Sequence, residues 1–362
     1  MSTTHIRHNL ESNLRKSARS DENSLTDLLR APDTGSTYKN HMVNGAFVEK
    51  HFPIRESYLS EFENSFGALC QSVSFVPDGD NDDDGVARVN EFVMQHTRGK
   101  IRDILSPSDV NDQTRLILVN ALYFKANWEK QFIKERAIKK PFTTVASTVV
   151  MGDTMHVVQE CNYYESKELG GAKFLQLSYS GDLCSAYFVL PGQKKIQNKA
   201  KHLLSACFHS PDEAVLPEDS DHGLKILQQS LTPAKLFSAI QNMSQVTYGT
   251  VQLSKFCLEK DLEMEQMLKD LGMPSAFLEM VADFSGISAQ RLCIDKVKQK
   301  AFIDVNEKGT EAAAATVITM INCCLPFDTR AEFIADRPSI IFIRHHSTNA
   351  ILFFGHVTDP SA

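Results

Sequence analysis

The stretch Leu116–Phe124, LILVNALYF, constrains the fold more than any other part of the sequence. It is a nearly continuous apolar run, and Asn120 is its polar exception. A run of this kind fits a β-strand covered on both faces, because a strand with one wet face alternates apolar and polar residues. The chain must therefore supply a sheet and material to cover both of its sides. With 362 residues, 42% of them apolar and 23% charged, it has enough for a large core. That length suits two ordinary domains or one large α/β or α+β domain.

Helical periodicity predicts helices at Ser57–Phe66, Lys235–Met243 and Met264–Leu271, the last stopped by Gly272. A longer helix is expected over Val86–Leu105, with Val89, Phe92, Val93, His96 and Ile101 near one face. Strand signals end at Val73–Val76, fill Ala186–Leu190 ahead of Pro191-Gly192, and cover Ala301–Val305. Pro338–Val357 reads as a β-hairpin turning at Ser347-Thr348-Asn349. Residues 1–37 are polar, with a short helical face of Leu25, Leu28 and Leu29 ended by Ala31-Pro32. Helices and strands mix without regular βαβ alternation, so the expected class is α+β.

The net charge of −7 argues against nucleic acid or a membrane surface as the main partner. Eight cysteines, at 70, 161, 184, 207, 257, 293, 323 and 324, form no CxxC pair and suit a reducing compartment. The first twenty residues hold no apolar core of a cleavable signal peptide, and no apolar run is long enough to span a bilayer. The expectation is a cytoplasmic protein, or one secreted by a route without a signal peptide. One sequon, Asn242-Met243-Ser244, would matter only in the second case.

Two further patterns are weaker. Asp80, Asp82, Asp84 and Gly85, with Glu91 six residues on, match a calcium loop in letter. The preceding segment reads as strand and Arg88 occupies a ligand place, so no metal or other cofactor is expected. Lys194, Lys195, Lys199, Lys201 and His202 read as a solvated surface. Cys323 or Cys324 with His345 or His346 would make a nucleophile–base pair, but no local protease signature supports an enzyme.

The segment Glu307-Lys308-Gly309-Thr310-Glu311-Ala312-Ala313-Ala314-Ala315-Thr316 admits two readings. It could be a short surface helix with Thr310 as N-cap and Glu311 in the first turn. It could instead run on into Val317–Ile321 as one strand. Alternation would then place Thr310, Ala312, Ala314, Thr316, Ile318 and Met320 on one face. Small uncharged residues are what a strand needs to slide between two others, since a buried charge would cost several kcal/mol.

On these residues the chain resembles the serpin family. Residues 310–316 are similar to the family's hinge consensus, and Leu116–Trp128, LILVNALYFKANW, resembles the signature strand of its main sheet. Asn90–Ile101, Ala282–Ser288 (ADFSGIS) and Leu253–Phe256 (LSKF) have family counterparts. Phe333–Pro360 is similar to the C-terminal signature, with Ala335-Asp336-Arg337-Pro338 and Phe353-Phe354-Gly355-His356-Val357 in place. The resemblance covers about residues 38–362 and is nearest to the ovalbumin-type members, which have no cleavable signal peptide.

The resemblance implies a single serpin domain over 1–362, built on a large, mostly antiparallel central sheet with further sheets and surrounding helices. Residues 307–330 would be an exposed reactive-centre loop. It implies a monomeric suicide inhibitor of a serine or cysteine protease: the protease cleaves the loop, and the loop inserts into the main sheet. Thr310 would enter first. Lys255 and Glu307 would pair near the insertion point with Trp128, and Asn120 would lie in the shutter under mid-sheet. Counting from Glu307 places the reactive bond at Cys323–Cys324, with Asn322, Cys324, Phe327 and Arg330 as other first-specificity residues. The chain departs from the family at residues 1–37, where the usual Asn-x-x-x-Ser-Pro strand is not found, and at Ser339, where an aromatic is common. These departures keep open a non-inhibitory serpin-fold protein acting as a chaperone, carrier or storage protein.

Overall fold

The computed structural model describes residues 38–66, 68–75, 84–192, 220–310 and 330–361. In chain order the strands are β1 (Tyr38–Glu49), β2 (Leu69–Val73), β3 (Leu116–Asn127), β4 (Ile138–Thr143), β5 (Val149–Ser166), β6 (Ala172–Ser178) and β7 (Cys184–Leu190). They continue with β8 (Ser244–Ser254), β9 (Phe256–Glu263), β10 (Lys296–Asn306), β11 (Gly309–Thr310), β12 (Arg330–Ala335), β13 (Ser339–His345) and β14 (Ile351–Val357). The α-helices are α1 (Glu56–Phe66), α2 (Gly85–His96), α3 (Ser220–Ser230), α4 (Pro233–Gln241) and α5 (Glu265–Asp270). The fold class is α+β, as expected. The described residues divide into two units, one drawn from 38–126 and Cys257–Asp304, the other from Asn127–Phe256 and 305–361.

In the unit containing 38–126, β3 sits mid-sheet. It pairs antiparallel with β1 and parallel with β10, while β2 flanks β1 and β9 flanks β10. One face of β3, carrying Ile117, Val119, Ala121 and Tyr123, is buried in a core with Val86, Val89 and Val93 of α2. The other face is less sealed. Leu116 and Leu122 are buried, but Leu118 and Asn120 between them are half-buried. The expectation of full cover on both faces therefore holds for one face and fails midway along the other.

The helix expected over Val86–Leu105 ends at His96. Asp84 caps its start, Oδ1 accepting from the amides of Val86 (3.0 Å) and Ala87 (3.2 Å). Its end is a turn through Arg98 (φ 55°) and Gly99 (φ 74°), and the left-handed backbone at two successive residues stops the helix. The Asn90 carboxamide then holds Ile104 and Leu105 in place, accepting from both amides and donating to the Leu105 carbonyl. Ile104 and Leu105 are buried from outside the helix. The strand expected at Ala301–Val305 starts earlier, at Lys296.

In the other unit, β12-β8-β5-β6-β7-β13-β14 form one sheet, with β4 attached to β5. Leu224, Leu227 and Leu231 from α3 and its end, with Leu236 and Ala239 of α4, pack on Phe174, Tyr187, Val189, Ile340 and Phe342. The C-terminal hairpin is β13–β14, and its turn includes Asn349 at φ 58°. The stretches at 25–31 and 194–202 lie outside the described residues.

Candidate functional site

The chain leaves β10 through the two residues Glu307-Lys308 and returns antiparallel as β11, with Asn306 opposite Gly309 and Val305 opposite Thr310. Gly309 takes φ 153°, a conformation open mainly to glycine. Thr310 is 0% exposed. The start of the alanine-rich segment is thus seated as a strand on β10. Thr310 is a strand residue paired with Val305, and the residues that would form a helix after it lie outside the described residues. Glu311, Ala312, Ala313, Ala314, Ala315 and Thr316 lie outside the described residues.

Aromatic rings pack around this turn. Trp128 follows β3 and is 1% exposed, and its Nε1 donates to the Asn306 carbonyl at 2.9 Å. Its backbone amide donates to the Lys308 carbonyl, and that of Phe132 to the Glu307 carbonyl. The Trp128 ring stacks on Tyr179 with centroids 4.6 Å apart and planes 7° apart. Tyr179 is 0% exposed, and its hydroxyl lies 2.7 Å from Thr310 Oγ1. Burial raises the Tyr179 phenol above its ordinary pKa, so it stays neutral, and the contact is a hydroxyl–hydroxyl bond.

Glu307 is nearly buried, with Lys255 Nζ 3.0 Å from its Oε1. That oxygen makes no hydrogen bond of good direction, so the contact is an ion pair rather than an aligned bond. The same ammonium lies 3.9 Å from Asp153. Lys255, Glu307, Trp128, Gly309 and Thr310 are therefore brought together in one unit. Asn120 belongs to the other unit and to a different device. Its Nδ2 donates to Asn44 Oδ1 (2.7 Å), and its Oδ1 accepts from Gln299 Nε2 (2.9 Å). The three amides stand opposite one another on β1, β3 and β10.

Cys323 and Cys324, with Asn322 and Phe327, lie outside the described residues. Arg330 opens β12, paired with Tyr248, so the sheet holds its backbone. His345 Nδ1 meets Thr348 Oγ1 at 2.9 Å. His346 Nδ1 donates to the Asp182 carbonyl (2.8 Å), and its Nε2 lies 2.9 Å from Ser185 Oγ. In letter this is a Ser-His-Asp set. Ser185 is 0% exposed and accepts from Gln176 Nε2 at 3.0 Å, so no substrate carbonyl can reach it. The cluster ties β6 and β7 to the turn after β13. Of the calcium pattern, Asp80 and Asp82 lie outside the described residues, and Asp84 is spent on its helix cap. Among the described residues, no helix is long and apolar enough to cross a membrane.

The family described as serpin (serine protease inhibitor) matches residues 2–210 and 213–360. The chain belongs to the serpin family. Curated serpins similar to it include Serpin B10 of Plecturocebus moloch, 35% identical over 88% of this chain and 72% of that protein. Serpin B6 of Macaca fascicularis is 33% identical over 90% of this chain and 78% of that protein. These relatives agree with the ovalbumin-type resemblance. Among solved structures, Serpin48 of Tenebrio molitor, described as a highly specific serpin, matches at TM-score 0.72 and 30% identity, covering 94% of this chain and 81% of that one. Thyroxine-binding globulin in complex with thyroxine matches at TM-score 0.75 and 22% identity over 99% of this chain and 87% of that one, which is a likeness of fold.

Sequence reasoning did not point to Tyr179, Phe132, Asn306, Asn44 or Gln299. Tyr179 sits in a polar turn, Ser178-Tyr179-Ser180-Gly181, with no local pattern to mark it. Asn44 carried a usable signal as the polar residue in MVNGAFV, the same kind of interruption that singled out Asn120.

Proposed function

We propose that this serpin is a suicide inhibitor of a serine protease or a cysteine protease. The observation that carries the reading is the Gly309–Thr310 pairing on β10: the hinge already begins an added strand, with Thr310 sealed from water. After cleavage, Glu311–Thr316 and the residues beyond would lengthen that strand. The alanines on its inward side would enter the sheet without desolvating a charge. The strain released by inserting this strand drives the trap, so the protein contributes no catalytic group. Residues 1–362 act as a single domain and a monomer, with 307–330 as the loop and Cys323–Cys324 as the bond attacked. Neither nucleic acid nor membrane is a partner, and no cofactor takes part.

The Glu307–Lys255 pair and the Trp128–Tyr179 stack set the position of the breach, where the strand enters. The Asn44–Asn120–Gln299 amides serve the shutter, holding strands in register at mid-sheet. A small, soft residue at Cys323 suits an elastase-like or chymotrypsin-like pocket, or that of a cysteine protease.

The test is incubation with elastase-, chymotrypsin-, trypsin- and cathepsin-like proteases. The expected result is a complex that survives a denaturing gel, with cleavage mapped to Cys323–Cys324. Ala314→Arg should turn the inhibitor into a plain substrate, because the inserted strand would carry a charge inward. Cleavage by every protease with no complex, and no gain in heat stability afterwards, would overturn the reading in favour of a non-inhibitory carrier or chaperone.

A further inference from the structure

Beneath β1 and β3, on the face where Leu118 and Asn120 are half-buried, lies a cleft of about 320 Å³ within the unit containing 38–126. Tyr58 and Phe62 of α1, Cys70 of β2, Leu118 of β3, and Phe284 and Val297 line it, all of them only partly buried. No charged side chain among the described residues lines the cleft, and its exposed wall is overwhelmingly carbon. Asn44 and Asn120 form its one polar edge. The Asn44 Oδ1 is used by Asn120, and among the described residues its Nδ2 has no hydrogen-bond partner.

We propose that this cleft binds a small, uncharged, largely apolar molecule carrying one hydrogen-bond acceptor, which meets Asn44 Nδ2. Three observations carry the assignment. The volume falls in the range of small-ligand sites. Among the described residues no lining charge is available to pair with an ionic ligand. A lone amide donor at the end of an apolar wall is the kind of group that orients such a ligand. A ligand there would touch β1 and β3 together and brace their ladder. The site stands whether or not the loop inhibits a protease.

The probe is 6-propionyl-2-(dimethylamino)naphthalene, neutral and with a single carbonyl, against the full chain. Its analogue without the carbonyl-bearing chain, 2-(dimethylamino)naphthalene, is the control. We expect saturable one-to-one binding with a blue-shifted emission and a dissociation constant on the order of 10–100 μM. Asn44→Asp keeps an acceptor for Asn120 but loses the donor, and should narrow the preference for the carbonyl probe about three- to ten-fold. Cys70→Trp and Leu118→Trp, each filling the cleft, should abolish binding.

A readout on the unaltered protein does not depend on those variants folding. Burial pushes the Cys70 thiol up to about 11, so its alkylation is slow, and saturating probe should slow it further by about five-fold. The exposed Cys257 serves as the internal control. Absence of saturable binding, or unchanged Cys70 alkylation, would overturn the proposal. So would a dimer that Cys70→Trp dissociates, since a second copy would then fill the cleft. Binding that appears only after residues 1–37 are removed would likewise overturn it, assigning the cleft to the chain itself.

Discussion

The hydroxyls of Tyr179 and Thr310 lie 2.7 Å apart, both without solvent exposure, and they join the Trp128–Tyr179 stack to the start of the alanine-rich segment. Tyr179→Phe keeps the stack on Trp128 and removes only the hydroxyl. It should cost about 1–3 kcal/mol, because a buried Thr310 oxygen loses its partner. Thermal melts of Tyr179→Phe, Thr310→Ala and the double variant would test this. We expect the double variant to lie close to the worse single one, and strict additivity would exclude the bond as a stabilising contact.

Lys255 and Glu307 should be coupled in the same way. Lys255→Met strands a carboxylate that is almost sealed from water and should cost about 1–3 kcal/mol. Adding Glu307→Gln should restore most of that loss. Urea denaturation of the four proteins measures the coupling directly, and a coupling near zero would reduce the pair to a surface contact.

Asn120→Leu should destabilise the protein by about 1–3 kcal/mol, although it raises the apolarity of an apolar strand. It leaves Asn44 Oδ1 and Gln299 Nε2 facing each other across a side chain that can bond neither. A variant as stable as the parent in urea would show that the amide row contributes nothing.

Acid should weaken the fold from near pH 6.5 downwards. Burial lowers the pKa of His356, which is 2.9 Å from Gln228 Nε2, and burial also leads the lowering for His345 and His156. A histidine whose folded pKa lies below its unfolded value contributes stability above the unfolded pKa, and that contribution is lost as pH falls through the folded one. Melting temperatures at pH 7.5 and pH 5.5 should therefore fall in the parent. The fall should be smaller in His356→Gln, and an equal fall would remove His356 from the account.

Much of the fold was legible in the sequence because its signals are local. The run around Asn120, the glycine after α5 and the Asn349 turn each lie within one element and its flanks. The site was legible only in part. Thr310, Glu307, Lys255 and Trp128 were named through family motifs, and the structure gathers them at one turn. Tyr179 was not, since its partner lies 131 residues away and nothing in its own neighbourhood marks it. The long helix expected to Leu105 failed for a related reason. Ile104 and Leu105 are buried, but outside the helix, where Asn90 holds them from across the turn.

By itself the sequence determined the class of the fold, the family and the composition that lets the segment after Thr310 lie in a sheet. These follow from residue size, charge and short-range periodicity, which any one stretch of chain carries whole. Only the tertiary structure decided that Asn44, Asn120 and Gln299 stand in one row, and that the far face of β3 opens onto a cleft. Strand register and the cover over a sheet depend on partners up to 179 residues apart, and a hydrogen bond or a buried face exists only once those partners meet.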